Sequence, residues 1–266
     1  MTAPTTSASL GAATAPWRWL AIAAYLVMVA YNGLANTLPL FGNTTGEVSQ
    51  AYPNLFTPAP FTFAVWGVIY AALAGFSVLQ ALPARAADPR LAAARPLFVL
   101  SSLLNVAWLT AWHADAIVVS EVVMVALLLC LIALYRRIDA WRAPATAGER
   151  WLIDVPFSLY LGWISVATVA NTSVTLVSLG VDGGTAAAAI AAVVVAVAAG
   201  IGLLATVSRR DPAFALVVAW GLFGVAAARR GESVTVMYVA IAGVALLVLA
   251  AAWALTSRSR ATLTRA

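Results

Sequence analysis

The chain contains no lysine, one histidine (His113) and one cysteine (Cys130), and charged residues make up only 9% of its 266 positions. Each scarcity removes a class of chemistry. Without lysine there is no Schiff base to retinal or pyridoxal and no P-loop lysine. A single cysteine and a single histidine exclude a disulfide framework and a multi-His or multi-Cys metal site within one chain. What is present instead is apolar: hydrophobic residues reach 63% and mean hydropathy is +0.95, far outside the composition of a soluble domain. The composition implies an all-α integral membrane protein. Cys130 lies in an apolar run and reads as a small buried hydrophobe. The pI near 9.9 comes from 15 arginines against 10 acids. It reflects charge in the loops and points to no nucleic-acid partner; no cofactor is expected.

Windows of about 20 apolar residues, enough to cross about 30 Å of hydrocarbon, give eight candidate spans near 18–40, 61–82, 95–113, 116–135, 152–179, 185–207, 212–228 and 233–255. The seventh is short. With a cytoplasmic N-terminus, thirteen arginines fall on the cytoplasmic side and only Arg229 and Arg230 fall outside, a bias that supports both the count and the orientation. The expected location is a membrane, a bacterial plasma membrane, with both termini cytoplasmic.

The first 16 residues are rich in Ala, Ser, Thr and Pro and read as a disordered tail without the basic region of a signal peptide. The longest outer loop, 41–60, carries Pro53, Pro58 and Pro60 beside Tyr52, Phe56 and Phe61. Two readings stand open for it: a cover folded over the mouth of the bundle, or a solvated connector. Beyond residue 180 the chain turns to Ala, Val, Gly, Ile and Leu, small residues that let helices approach closely. The expected organisation is a tail (1–16), a five-helix core (17–180), three further transmembrane helices (181–256) and a basic cytoplasmic tail (257–266).

The chemistry is carried by stripes. In PFSLYLGWISVATVAN, residues 156–171, helical periodicity sets Tyr160, Trp163, Ala167 and Asn171 on one face of a span. An amide left facing lipid would lose its hydrogen bonds, so that face should point at other helices or a ligand. The pattern recurs: Ser101, Asn105, Trp108 and Trp112 in the third span, Phe63, Trp66, Tyr70 and Ala74 in the second, Tyr25, Met28, Asn32 and Asn36 in the first. Converging, these stripes would build a site that is apolar by area with a few hydrogen-bonding groups. Asn, Trp and Tyr also serve as interhelical bonds and interfacial anchors, and Trp17, Trp19, Trp141 and Trp151 at the predicted edges are assigned to anchoring.

Glu121, in the fourth span, is a functional candidate because an intramembrane carboxylate is costly. Asp154, at the start of the fifth, reads as a helix-terminal acid or a partner of Arg150. A proton relay through His113, Asp115 and Glu121 is conceivable, but a short outer turn explains the first two more simply.

These residues resemble the TspO/MBR family of translocator proteins, or tryptophan-rich sensory proteins, over roughly 20–178. FTPAPFTFAVWGVIY is similar to its Trp-Thr-Pro-Pro stretch running into Phe-x-Pro-Val-Trp-x-x-x-Tyr, Leu104-Asn105 with Trp108 to its Leu-Asn-x-x-Trp, and Tyr160, Leu161, Trp163, Ala167 and Asn171 to its fifth-helix pattern. Phe56 replaces a tryptophan, Ala59 a proline, and Ala64-Val65 lacks the proline before Trp66. The resemblance implies a five-helix bundle, here enlarged by three helices, whose cavity takes porphyrin, haem or a sterol-like molecule under the loop between the first two helices. Transport, sensing and light-dependent porphyrin breakdown are the roles it implies.

The expected ligand-binding residues are therefore Asn32, Phe63, Trp66, Tyr70, Asn105, Trp108, Tyr160, Trp163, Ala167 and Asn171, with Glu121 as a proton site. The expected partners are a hydrophobic small molecule, membrane lipid and a second copy in a homodimer. The leading reading is a non-enzymatic binding, transport or sensing protein. The alternatives are an enzyme that photo-oxidises a porphyrin and a proton-coupled transporter using Glu121. No acid, base and nucleophile constellation favours conventional hydrolysis or group transfer.

Overall fold

The computed structural model describes residues 6–263, with side chains from Pro16 to Ser257. Helices α1 (Thr6–Thr37), α2 (Thr45–Ala51), α3 (Val65–Ala81), α4 (Pro89–His113) and α5 (Ile117–Arg137) precede a single turn, α6 (Ala147–Glu149). There follow α7 (Val155–Ser178), α8 (Ala187–Arg209), α9 (Pro212–Ala228) and α10 (Val234–Leu263). The all-helical membrane architecture is thus as the composition implies. Among the described residues, seven helical stretches are long and apolar enough to cross a membrane, and α9 is a shorter apolar helix of 17 residues. The shortness of α9 has a physical counterpart: it is largely enclosed by protein. It packs on α7, α8 and α10, and its neighbours, more than lipid, surround its apolar surface.

Local signals set the helix ends. Asp88 accepts from the backbone N–H groups of Arg90 and Leu91, with Pro89 in the first turn of α4. Asp211 does the same for Phe214 at α9, again followed by proline. Such pairs satisfy the orphan donors of a helix start. α7 is entered through a Thr146–Glu149 capping box and a π-helical turn at Arg150–Asp154.

α1 packs on α3 and α4, α4 on α5, α5 on α7, and α7 on α9, while α8 and α10 flank α9. Lipid is as apolar as a leucine side chain, so association in a membrane depends on close packing. Glycines supply it: a Cβ on Gly162 would collide with Val217 Cγ1, and one on Gly221 would lie 2.8 Å from Val166 Cγ1. The change of composition at residue 180 is therefore a boundary in residue type but not in packing. Buried Asp211 ties the two parts further, since its Oδ2 accepts from Tyr135 OH at 2.7 Å and Ser158 Oγ at 2.6 Å. Leu129, Val193, Leu204 and Leu249 point outward, as a lipid-facing surface requires.

The arginine-rich loops gather at one end. Asp154 is fully buried between Arg150 at 2.6 Å and Arg90 at 2.7 Å, so the expected Arg150 pairing is present with a second partner. Arg85 meets Glu149 and Arg209 meets Asp139 at the same end. Cys130 is buried, with its thiol toward the Leu97 carbonyl.

The N-terminal stretch 1–16, expected to be disordered, is helical from Thr6, and the basic end expected at 257–266 is helical as far as Leu263. Alanine, the strongest helix former, is frequent at both ends, and each is continuous with a long helix that supplies the nucleus. Residues 1–5 and 264–266 lie outside the described residues.

Candidate functional site

At the end opposite the arginines, the 41–60 loop lies over the helices as a cover. Its first anchor is α4. Asn43 donates to the His113 carbonyl at 3.0 Å, Thr45 Oγ1 and His113 Nε2 are 2.8 Å apart, and Trp112 Nε1 donates to the Thr45 carbonyl at 3.2 Å. Tyr52 OH donates to Asp115 Oδ1 at 3.0 Å. Burial and this carboxylate push the Tyr52 phenol up from its ordinary pKa. Within the loop, Thr44 and Glu47 form a reciprocal capping box on α2, and the Thr44 hydrogen bonds hold the Glu47 carboxyl below its usual range. Asn54 Oδ1 accepts from the N–H groups of Phe56 and Thr57, an Asx-type turn that leads into the proline segment.

The second anchor is α9. Ala59 N–H donates to the Gly224 carbonyl at 3.0 Å, Trp220 Nε1 to the Thr62 carbonyl at 2.8 Å, and Arg229 Nη1 to the Asn54 carbonyl at 3.1 Å. Gly224 is required there, because a Cβ would overlap the Thr62 side chain and lie 3.0 Å from Pro58 Cβ. The cover is therefore latched on one side to the five-helix part and on the other to the helices after residue 180.

Beneath it lies a cavity of about 640 Å³, and deeper, a recess of about 40 Å³. The two share Thr45, Ser49, Thr57, Pro58, Phe63, Trp66 and Trp108 and so adjoin one another. The volume of the larger chamber falls within the roughly 300–1,000 Å³ of small-molecule sites. Asn32 and Asn36 reach the larger chamber; Trp112, Trp163, Ala167 and Asn171 line the recess. Thus seven of the ten expected ligand-binding residues, Asn32, Phe63, Trp66, Trp108, Trp163, Ala167 and Asn171, meet on the walls.

Tyr70, Asn105 and Tyr160 do not. Tyr70 stacks on Trp66 at 5.2 Å and Tyr160 meets the same indole edge-on at 5.9 Å, so both stand behind it. Asn105 is behind Asn32, accepting from its Nδ2 at 2.8 Å. A shared helical face specifies direction, and depth along that direction depends on which neighbour intervenes. All three remain coupled to the walls they support.

Amide hydrogen bonds orient those walls. Trp108 Nε1 donates to Asn171 Oδ1 at 3.1 Å, and Asn171 Nδ2 donates to Glu121 Oε2 at 2.7 Å and to Ser120 Oγ at 3.2 Å. Glu121 Oε1 also accepts from Thr172 Oγ1 at 2.6 Å. His113, Asp115 and Glu121 form no common chain: the first two hold the cover, and the third is bonded to α7. One buried donor on the recess wall, Trp163 Nε1, has no hydrogen-bond partner, and neither has Tyr70 OH behind Trp66. Such atoms are uncommon in native interiors and mark places where water or a ligand group is accommodated. Among the described residues, no group of His, Cys, Asp and Glu is placed to hold a metal ion.

The polar residues of the cover, Ser49, Gln50, Asn54 and Thr57, and the pair Arg229 and Glu232 also line the larger chamber. None was among the expected ligand-binding residues. Two signals were available: the reading of 41–60 as a cover, and the fact that Arg229 and Arg230 alone break the charge asymmetry. Over residues 18–253 the chain matches the family model described as TSPO-like protein, a match that runs through α8 and α9 and most of α10. No curated protein and no solved structure matches.

Proposed function

The chain belongs to the TSPO-like protein family, and we propose that it binds a flat, largely apolar metabolite, such as a porphyrin or haem, in the covered cavity as a carrier or sensor. The observation that carries this reading is the convergence of Trp66, Trp108, Trp112 and Trp163 with Phe63 on the recess, three of them, Phe63, Trp66 and Trp108, also lining the larger chamber beside it. Planar faces suit a planar ligand, and the neutral amides of Asn32 and Asn171 orient it without charge. Its residence is an integral membrane position, which the long apolar helices and the family support. The proposed orientation puts the arginine-rich end in the cytoplasm and the cavity mouth on the opposite side.

Tryptophan fluorescence titrated with protoporphyrin tests it. Saturable quenching is expected, with affinity reduced about tenfold when Trp108→Phe is combined with Asn171→Ala, the loss of one oriented contact. Quenching that does not saturate, or that the double substitution leaves unaltered, would argue against a site in this cavity.

A second reading has its own observation: the hydrogen-bond chain Glu121–Asn171–Trp108 connects an intramembrane carboxylate to the wall. On this reading the protein is a proton-coupled transporter. Uptake into proteoliposomes should then depend on a pH gradient and disappear in Glu121→Gln; uptake indifferent to that substitution removes the carboxylate from the mechanism.

A further inference from the structure

The larger chamber is lined almost wholly by neutral groups, and the two exceptions, Arg229 and Glu232, sit together at its edge. Both come from the turn after α9, outside the five-helix part. Gly231, at φ 84°, reverses the chain there, and Glu232 N–H donates to the Arg229 carbonyl at 3.1 Å. The left-handed backbone that glycine permits thus brings the carboxylate back onto the guanidinium.

The way Arg229 is held is uneven. Only 11% of its side chain is exposed, against 53% for Glu232. Nη1 makes both recorded contacts, to Glu232 Oε2 at 2.8 Å and to the Asn54 carbonyl at 3.1 Å. Nε is buried and has no hydrogen-bond partner. A guanidinium offers a planar fork of donors suited to two parallel bonds with a carboxylate, and here one donor of that fork is unanswered. Its charge is favoured by the carbonyl end of α9, which it caps. Glu232, half in solvent, is a weak occupant of such a site because exposed ion pairs are screened and entropically costly.

We propose that Arg229 makes the cavity selective for ligands that carry a carboxylate, and that the ligand's carboxylate displaces Glu232 from the guanidinium while the apolar body rests on the indoles. This rests on the reading that the cavity binds a flat apolar molecule. It assigns the turn after α9 a role that no lining residue of the five-helix part supplies: a cation at the edge of a chamber whose other charged lining group is the Glu232 paired with it.

The experiment compares protoporphyrin IX with its dimethyl ester, which keeps the ring and removes both carboxylates, by tryptophan quenching in an uncharged detergent. The wild-type protein should prefer the acid by about tenfold. Arg229→Gln should abolish that preference by weakening the acid about tenfold more than the ester, whose affinity changes only as far as the Asn54 latch is loosened. Glu232→Gln, an exposed substitution, should strengthen the acid about threefold by removing the competitor, without effect on the ester. Equal affinity of the wild type for acid and ester would overturn the proposal alone, as would equal weakening of both by Arg229→Gln, which would make Arg229 only a latch on Asn54. Failure of both molecules to quench would instead overturn the underlying reading of the cavity, and this proposal with it.

Discussion

The two ends of the bundle are closed by different chemistry. At the arginine-rich end, Asp154 is buried between two guanidinia, and Arg95, also fully buried, donates to Gln80 Oε1 and to the carbonyls of Gln80, Arg85 and Ala86. At the other end the cover hangs mostly on single hydrogen bonds between neutral groups, above a cavity whose recess carries the unpartnered Trp163 indole N–H. A buried charge that loses its partner costs several kcal/mol, whereas a typical neutral hydrogen bond contributes about 1 kcal/mol net. The difference predicts that the cover should yield before the arginine cluster does.

The largest effect should come from Asp154→Ala. It leaves Arg90 and Arg150 facing each other across an emptied site and should cost about 3 kcal/mol, toward the lower end for a buried pair because both guanidinia remain partly exposed. Thermal unfolding in detergent measures it; an unchanged midpoint would erase the distinction between the ends.

Gly224→Ala should come next, at about 2 kcal/mol, since the added methyl drives Thr62 and Pro58 away from α9. Its signature should be local: faster proteolysis of the 41–60 segment and weaker protoporphyrin quenching, with the arginine end intact. Loss of the whole fold in this variant would show that the cover is as integral as Asp154. Tyr52→Phe removes one latch to Asp115 and should cost about 1 kcal/mol or less, read as a modest increase in hydrogen exchange across α2.

The smallest effect is one of pH. The Glu47 carboxyl is held below its usual range by Thr44. Its contribution to α2 is therefore fully present above the unfolded glutamate value and is lost as pH falls through the lower folded value. Exchange at the amides of α2 should rise only under acid conditions below the ordinary glutamate range. A rise beginning above that range would mean that a different group controls the cover.

Much of this was legible in residue patterns. Apolar windows located the long helices, while the caps at Asp88-Pro89 and Asp211-Pro212 emerged only with the structure, although elementary capping explains them. The stripes found the indoles and amides that now line the cavity. Helical phase set Trp66 and Tyr70 on one face of α3 but did not reveal that the Trp66 ring would stand between the cavity and both Tyr70, one turn along, and Tyr160 on α7, because depth along a face is set by how the helices pack. Asp211 was missed for a related reason: its burial depends on Tyr135 and Ser158, which lie 76 and 53 positions away in the chain. Nor could the open choice for the 41–60 loop be made without knowing that Gly224 and the end of α4 would be there to hold it.

The sequence by itself determined the solvent, the secondary structure and the direction of the polar stripes, because these follow from hydropathy, helical period and charge asymmetry along one chain. Only the tertiary structure decided that α9 would be largely enclosed by protein, that the cover would be latched from both parts of the molecule, and that Arg229 would reach the chamber of Trp66 and Trp108. Those outcomes depend on the close approach of glycine faces and on hydrogen bonds between residues far apart in the chain, and no local periodicity encodes either.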